Sequence, residues 1–357
     1  MALARGLFYW EMSMKNIILL LSILMIIHYA YGECVHEETL LGSSLLDITD
    51  LDHQYMVEQN DGIYLPLGKV SINPLKVYHV QKIAKNHNRK LKGDFDQYNR
   101  DYLKYYRYHH VQKLMAAITP DFNQFGYETV IVGKSLEGRD LYSVRPKNLV
   151  PGKKTILMFG RHHGDEGTAN WIIEGFLKQI INMNEKFHDE FQLILYPMVN
   201  PDGAEAGTRY NKNNRDLNRS WAYNLDQSYD EAKIIHSDLK NYLSGKKDIV
   251  IMLDMHGSFT DDFIYRVKRN YINPAFYEFQ QNFIDELGAL DSFQKGNFIL
   301  SNGHPKMARI VMIKSYGLNA LTHETPKNIK IQNSQNRSLL SLEDQGSAVL
   351  QAILRQY

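Results

Sequence analysis

Apolar and polar positions along this chain repeat on two periods. Residues 155–160, Thr-Ile-Leu-Met-Phe-Gly, form an unbroken apolar run of strand length, and 191–199, 248–253 and 318–322 read the same way. Runs of this kind are strands buried on both faces of a sheet. Residues 127–132 alternate with period two, 134–140 carry turn residues and 141–144 return as a strand, which predicts a hairpin. Helical periods occupy 98–118, 172–183, 229–243 and 276–287, with a last amphipathic stretch at 342–355. Strands alternating with helices predict an α/β fold, a mixed sheet with helices on both faces.

The reactive side chains fall just after these apolar runs. His162-His163-Gly164-Asp165-Glu166 follows 155–160 and precedes a helical pattern that starts at Ala169. A strand-to-helix turn is where open α/β sheets hold their chemistry. His163-x-x-Glu166 lets an imidazole and a carboxylate reach one point, and both are good Zn²⁺ ligands at ~2.0–2.2 Å. A second frame, His162-x-x-Asp165, overlaps the first, and a polar loop capping the next helix through Asp165 or Thr168 needs no metal at all. The spacing alone leaves these readings open. His256 follows 248–253, with Asp254 before it and Gly257 after it, and is the natural third ligand for a site that needs three. Arg209, Arg215 and Arg219 lie close together and suit recognition of carboxylates and polarisation of a carbonyl. Glu324, beside His323, follows 318–322, and a carboxylate near a metal-activated water is a sound general base.

Composition narrows the chemistry. The 357 residues are 44% hydrophobic and 23% charged, an ordinary globular balance, and a net charge of +1 gives no electrostatic footprint for nucleic acid. Cys34 is the only cysteine, so a metal site must use histidine and carboxylate. Lys15, the apolar stretch 17–27 and Ala30-Tyr31-Gly32 read as a signal peptide over residues 1–32, with Met14 a candidate start. The apolar stretch is short of the ~20 residues of a membrane span. This predicts a secreted or periplasmic protein with no stable membrane span after cleavage; the alternative is anchorage by an uncleaved amino-terminal segment.

Taken in order, Gly133-Lys134-Ser135-x-Glu137-Gly138-Arg139, His163-Gly164-Asp165-Glu166, Asn200-Pro201-Asp202-Gly203, Asp216-Leu217-Asn218-Arg219, His256-Gly257 and Glu324 resemble the zinc carboxypeptidases of the funnelin type. The resemblance covers residues 97–357, which become the catalytic domain, and leaves 33–96 as an amino-terminal extension of unassigned role. It implies a mixed, twisted sheet of the eight-stranded type. It implies one Zn²⁺ per chain held by His163, Glu166 and His256, which selects that frame over His162 and Asp165. It further implies Glu324 as general base, Arg209 polarising the scissile carbonyl, Asn218 and Arg219 holding the substrate's terminal carboxylate, and Asp216 orienting His163. Residues 301–309 lack the tyrosine that pancreatic-type members close over the substrate. Gly207-Thr208-Arg209-Tyr210-Asn211 looks more like bacterial relatives that cleave murein peptides, and Asp254-x-His256-Gly257 is similar to the cytosolic-type branch.

The leading expectation is therefore a zinc metallocarboxypeptidase acting on peptides, with a murein-peptide amidase as a variant. A zinc-dependent acyl-amino-acid deacylase shares His-Gly-x-Glu and a downstream Asp-x-Asn-Arg, but the 133–139 hairpin and Asn200 to Gly203 favour the peptidase. A peptide-binding module without activity would have lost a ligand or the base, and none is missing.

Overall fold

The computed structural model describes residues 57–59, 62–64, 106–183, 185–244, 248–259, 261–326 and 339–357. The chain divides into two compact units, Met1–Phe95 and Asp96–Tyr357. In the first, strands β1 (Val57–Gln59) and β2 (Gly62–Tyr64) pair antiparallel. The expected signal peptide, the rest of the 33–96 extension and the start of the 98–118 helix lie outside the described residues. Among the described residues no helix is long and apolar enough to cross a membrane.

The second unit is built on an eight-stranded sheet, as expected. Its strands are β3 (Tyr127–Lys134), β4 (Asp140–Pro146), β5 (Lys154–Gly160), β6 (Phe191–Tyr196), β7 (Ile249–Ser258), β8 (Phe263–Arg266), β9 (Phe298–Leu300) and β10 (Ala320–Pro326), in the spatial order β3-β4-β6-β5-β7-β10-β8-β9. The four central strands β6, β5, β7 and β10 run parallel; β4 pairs antiparallel with β6 and β3, β8 pairs antiparallel with β10, and β9 runs parallel to β8. Every residue of β6 is buried, and all but one in each of β5 and β7. Their unbroken apolar runs follow from having both faces covered. The hairpin forms where predicted, with Ser135 N donating to Arg139 O at 2.7 Å across its turn.

Helices α1 (Tyr108–Gln124), α2 (Thr168–Met183), α3 (Glu185–Glu190), α4 (Pro201–Ala206), α5 (Asp230–Leu243), α6 (Pro274–Leu290), α7 (Ala308–Tyr316) and α8 (Leu339–Gln356) complete the unit. Two differences from the sequence reading bear on the site. Strands β7 and β10 run past 253 and 322, so His256 and Glu324 stand within strands rather than on the loops after them. Pairing of β10 with β7 through Pro326 and Ser258, and with β8 at Glu324, keeps both chains extended through these polar positions. Helices α4 and α7 and strands β8 and β9 have no counterpart in the sequence pattern. Residues 308–313 of α7 are all buried, so no polar face marks a helical period.

Candidate metal centre and cleft

The sheet register brings the candidate residues together. Glu324 on β10 stands opposite His256 on the parallel neighbour β7, and His323 stands opposite Met255. Successive side chains in a strand point to opposite faces, so Glu324 shares its face with His256 and His323 faces away. His163 and Glu166 arrive from the loop between β5 and α2. Arg161, fully buried with a left-handed φ of 61°, ties that loop down: its Nε and Nη2 donate to Gly164 O and its Nη1 to Asn170 Oδ1.

Asn200 is the second brace. Its side chain caps α4 by accepting from Gly203 N at 2.9 Å, and its amide donates to His162 O and Arg209 O. Gly164 packs directly on α4, where an added Cβ would lie 2.0 Å from the Gly203 carbonyl carbon. Asp202 on the same helix accepts from Ser135 Oγ at 2.6 Å, Glu137 N at 3.0 Å and Arg139 Nη1 at 2.8 Å. The hairpin motif of residues 133–139 thus anchors α4, and α4 supports the His163 loop and the start of the arginine segment. The motif is structural rather than chemical.

Three buried side chains converge. His163 Nδ1 lies 2.8 Å from Glu166 Oε1, His256 Nδ1 lies 2.9 Å from Glu166 Oε2, and the two Nδ1 atoms are 3.2 Å apart. Four ligands around Zn²⁺ at ~2.1 Å would sit ~3.4 Å from one another, close to these separations. Two imidazole nitrogens facing each other also need a proton or a cation between them. The donor set therefore fits a small dication. Glu166 is further fixed by Gly257 N at 2.9 Å, and a Cβ on Gly257 would press 2.8 Å from the Glu166 Cβ.

A second group, His162, Asp254 and His256, has comparable spacing. Hydrogen-bond logic argues against a metal there. The Trp221 indole N–H can only donate, and it donates to His162 Nε2 at 3.0 Å. His162 Nδ1 must then carry the proton it gives to Asp254 Oδ1 at 2.7 Å. His162 has no lone pair left, and the frame that paired it with Asp165 is replaced by this buried bond to Asp254.

Carboxylates surround the two converging imidazoles. Asp216 Oδ1 lies 3.0 Å from His163 Nε2, which leaves Nδ1 to face the centre. Asp254 Oδ2 lies 3.0 Å from His256 Nε2. Burial works against charge on His256, yet Asp254 and Glu166 push its pKa well above the ordinary imidazole value. The field at this point is negative and suited to a cation.

The centre opens on a cleft of about 550 Å³. Arg209, Asn218, Arg219 and Glu324 all line it. Arg209 Nη2 donates to Asp216 Oδ2 at 2.9 Å, and its Nη1 comes within 3.7 Å of Glu166 Oε1. Asn218 is more committed than the sequence suggests. Its Oδ1 accepts from Ala308 N at 3.0 Å, and its Nδ2 lies 3.1 Å from His256 Nε2. Arg219 Nη1 donates to Asn218 O at 2.7 Å, which holds the guanidinium at the cleft wall. Burial raises the Glu324 carboxyl to about 7, with Glu166 and Asp254 adding to the shift and His256 and His163 opposing it. Tyr265, Ser301 and Arg309 also line the cleft and escaped the sequence reading. They belong to β8, the loop before α7 and α7 itself, in that order, and none of these has a clear period.

Residues 113–260 match the family model described as zinc carboxypeptidase. Mouse cytosolic carboxypeptidase 2 is 25% identical over 225 residues, which are 59% of this chain and 26% of that protein. The Arabidopsis thaliana carboxypeptidase SOL1 is 27% identical over 130 residues, 33% of this chain and 26% of that protein. The chain thus spans about a quarter of the length of these two relatives. A metallo-carboxypeptidase from Burkholderia cenocepacia shares the fold with a TM-score of 0.59 at 20% identity, covering 69% of this chain and 68% of that one. Carboxypeptidase A from Helicoverpa armigera does so with a TM-score of 0.57 at 15% identity, covering 77% and 85%. The matched segment takes in the His163 loop, the arginine segment and His256, and the sheet that carries them has the fold of the metallo-carboxypeptidases.

Proposed function

We propose that this chain is a zinc-dependent carboxypeptidase that removes residues from the free carboxylate end of peptides. The observation that carries the reading is the convergence of His163, Glu166 and His256 at one end of a cleft that also holds Glu324, in strand register with His256. Zinc held by His163 Nδ1, Glu166 and His256 Nδ1 would supply Lewis acidity that polarises the scissile carbonyl and acidifies water.

The chain's own groups do the rest. Glu324 takes a proton from the attacking water and delivers it to the leaving nitrogen as the C–N bond breaks. The water oxygen ends in the new carboxylate of the shortened peptide. Burial raises this carboxyl above its ordinary value in the metal-free chain, which favours its holding a proton between the two transfers. Arg209, held by Asp216, directs N–H donors at the carbonyl oxygen as charge builds there. Arg219 and the Asn218 amide bind the terminal carboxylate.

The test is to load the purified chain with zinc and incubate it with a peptide library and, separately, a murein tripeptide and an acetylated amino acid. Mass spectrometry should show single residues lost from carboxyl ends. Turnover of the acetylated amino acid alone would replace the peptidase by a deacylase, and turnover of murein tripeptide alone would narrow it to cell-wall chemistry. Export remains part of the proposal, supported by the sequence of residues 14–32. Amino-terminal sequencing of the natively made protein should give a start near Glu33, and a soluble product that starts at Met1 or Met14 would refute it.

A further inference from the structure

The two imidazoles that face the metal position are held in different ways. His163 Nε2 meets Asp216, which is partly exposed and also engages Arg209. His256 is backed by a chain of contacts in the core, in which Trp221, His162 and Asp254 are all 0% exposed. Trp221 Nε1 donates to His162 Nε2 at 3.0 Å, and His162 Nδ1 donates to Asp254 Oδ1 at 2.7 Å. Asp254 Oδ2 in turn lies 3.0 Å from His256 Nε2. The rings of His162 and His256 stand parallel, 3° apart in plane with centroids 5.5 Å apart, and one carboxylate serves both. Each link has a fixed direction. The indole nitrogen only donates, so the His162 proton belongs on Nδ1. A neutral His256 that turns its Nδ1 lone pair to an ion carries its proton on Nε2. Asn218 Nδ2, 3.1 Å from that nitrogen, bears only hydrogens, because Asn218 Oδ1 is the atom that accepts from Ala308 N. Of the two groups beside His256 Nε2, Asp254 is therefore the acceptor.

We propose that Trp221 and His162 are positioning residues for the metal centre: the indole sets the His162 tautomer, His162 fixes Asp254, and Asp254 holds His256 with Nδ1 toward the ion. This rests on the metal centre of the carboxypeptidase reading and adds two residues that touch neither ion nor substrate. Trp221 is anchored independently of the ion. It packs on Phe159 and His236 with ring centroids 5.2 and 5.4 Å away, and its backbone N donates to Lys306 O. It follows Arg219 and Ser220 directly, so the segment that lines the cleft with Asn218 and Arg219 also reaches a metal ligand through the core. Without the indole N–H, His162 can move its proton to Nε2 and turn a lone pair on Asp254, which then loses the bond that fixes it.

The experiment measures zinc affinity by chelator competition on wild type, Trp221→Phe, His162→Leu, His162→Asn and the double variant of Trp221→Phe with His162→Leu. The absorption spectrum of the Co²⁺-loaded proteins reads the ligand geometry. All should still bind one ion. Trp221→Phe and His162→Leu should each weaken zinc on the order of 10-fold, the low end for loss of a group that supports a ligand. Asparagine places an amide N–H about where His162 carries its Nδ1 proton, so His162→Asn should recover most of the affinity and the wild-type spectrum. Because both residues act through one chain, the double variant should be little weaker than His162→Leu alone. Thermal melts of the metal-free proteins identify a mere packing role, which would lower the melting temperature and leave the affinity of the folded chain unchanged. If His162→Leu does not fold, Trp221→Phe against wild type decides. Effects that add in the double variant, or zinc bound at wild-type affinity in Trp221→Phe, overturn this proposal and leave the carboxypeptidase reading standing; a wild type that binds no zinc overturns both.

Discussion

Glu324→Gln should lower activity and raise stability at the same time. The substitution keeps size and shape, but the amide cannot accept a proton. With zinc bound, kcat should fall on the order of 10²–10⁴-fold, the usual contribution of a positioned general base. The effect on stability follows from the titration. The carboxyl moves from 4.5 to about 7 on folding, mainly through burial. The folded chain therefore holds the proton more tightly than the unfolded chain between these values, and stability declines as pH rises through that window. At full burial the loss above pH 7 would be ~3 kcal/mol. Glu324 is partly exposed to the cleft, and water there screens it, which leaves ~1–3 kcal/mol. The metal-free Glu324→Gln variant should then melt several degrees above wild type at pH 8, at roughly 2–4 °C per kcal/mol, and close to wild type at pH 5. The assays are peptide hydrolysis by the zinc-loaded proteins and thermal melts of the metal-free ones at both pH values. The alternation of β10 makes His323 the control, since it faces the core beside Met255. If Glu324→Gln stays near wild type in kcat while His323→Ala abolishes it, Glu324 is not the base.

Zinc content should be about one ion per chain and should be lost in His256→Ala, whereas His162→Ala should retain most of it; atomic absorption after gel filtration distinguishes the two, and full zinc in His256→Ala would remove His256 from the ligand set. Asp216→Asn should weaken zinc on the order of 10–100-fold in a chelator competition, because it loses the carboxylate that accepts from His163 Nε2 and holds Arg209. An unchanged affinity would mean that the Asp216 contact does not orient the ligand. Arg219→Ala should raise KM for substrates with a free carboxylate by an amount corresponding to ~2–5 kcal/mol and do little to amidated ones. Equal effects on both kinds of substrate would take Arg219 away from the terminus.

The central strands were legible because burial on both faces writes an unbroken apolar run, and the chemistry was legible because it stands at their ends. His163, Glu166, His256 and Glu324 stood out as candidates this way, while the choice of the His163 frame over His162 and Asp165 came from the family resemblance. What escaped the sequence has a common cause. Helix α7 is apolar through most of its first six residues and β8 has only four, so neither carries a period long enough to read. Residues 301–309 stood out only for the tyrosine they lack, and Arg309 carried no role in the sequence. The role of His162 was also hidden, because its partners Asp254 and Trp221 come from distant parts of the chain. The 133–139 motif was legible as a marker, but only the contacts of Asp202 reveal that it braces the site.

The strand order has a consequence for the chain as it is being made. β10 lies between β7 and β8, both of which leave the ribosome before it. Until residues 320–326 emerge, β7 and β8 each have an open edge facing the gap, and the nascent sheet is a template for pairing with other chains. Inserting β10 closes both edges and delivers Glu324 in the same event. On the proposed mechanism a nascent chain can thus assemble His163, Glu166 and His256 before it has its base, and the ability to cut would arrive only with the strand that seals the sheet. Truncations that end before residue 320 should accumulate as aggregates rather than as truncated enzymes, and chaperone demand during synthesis should peak in the interval between β8 and β10.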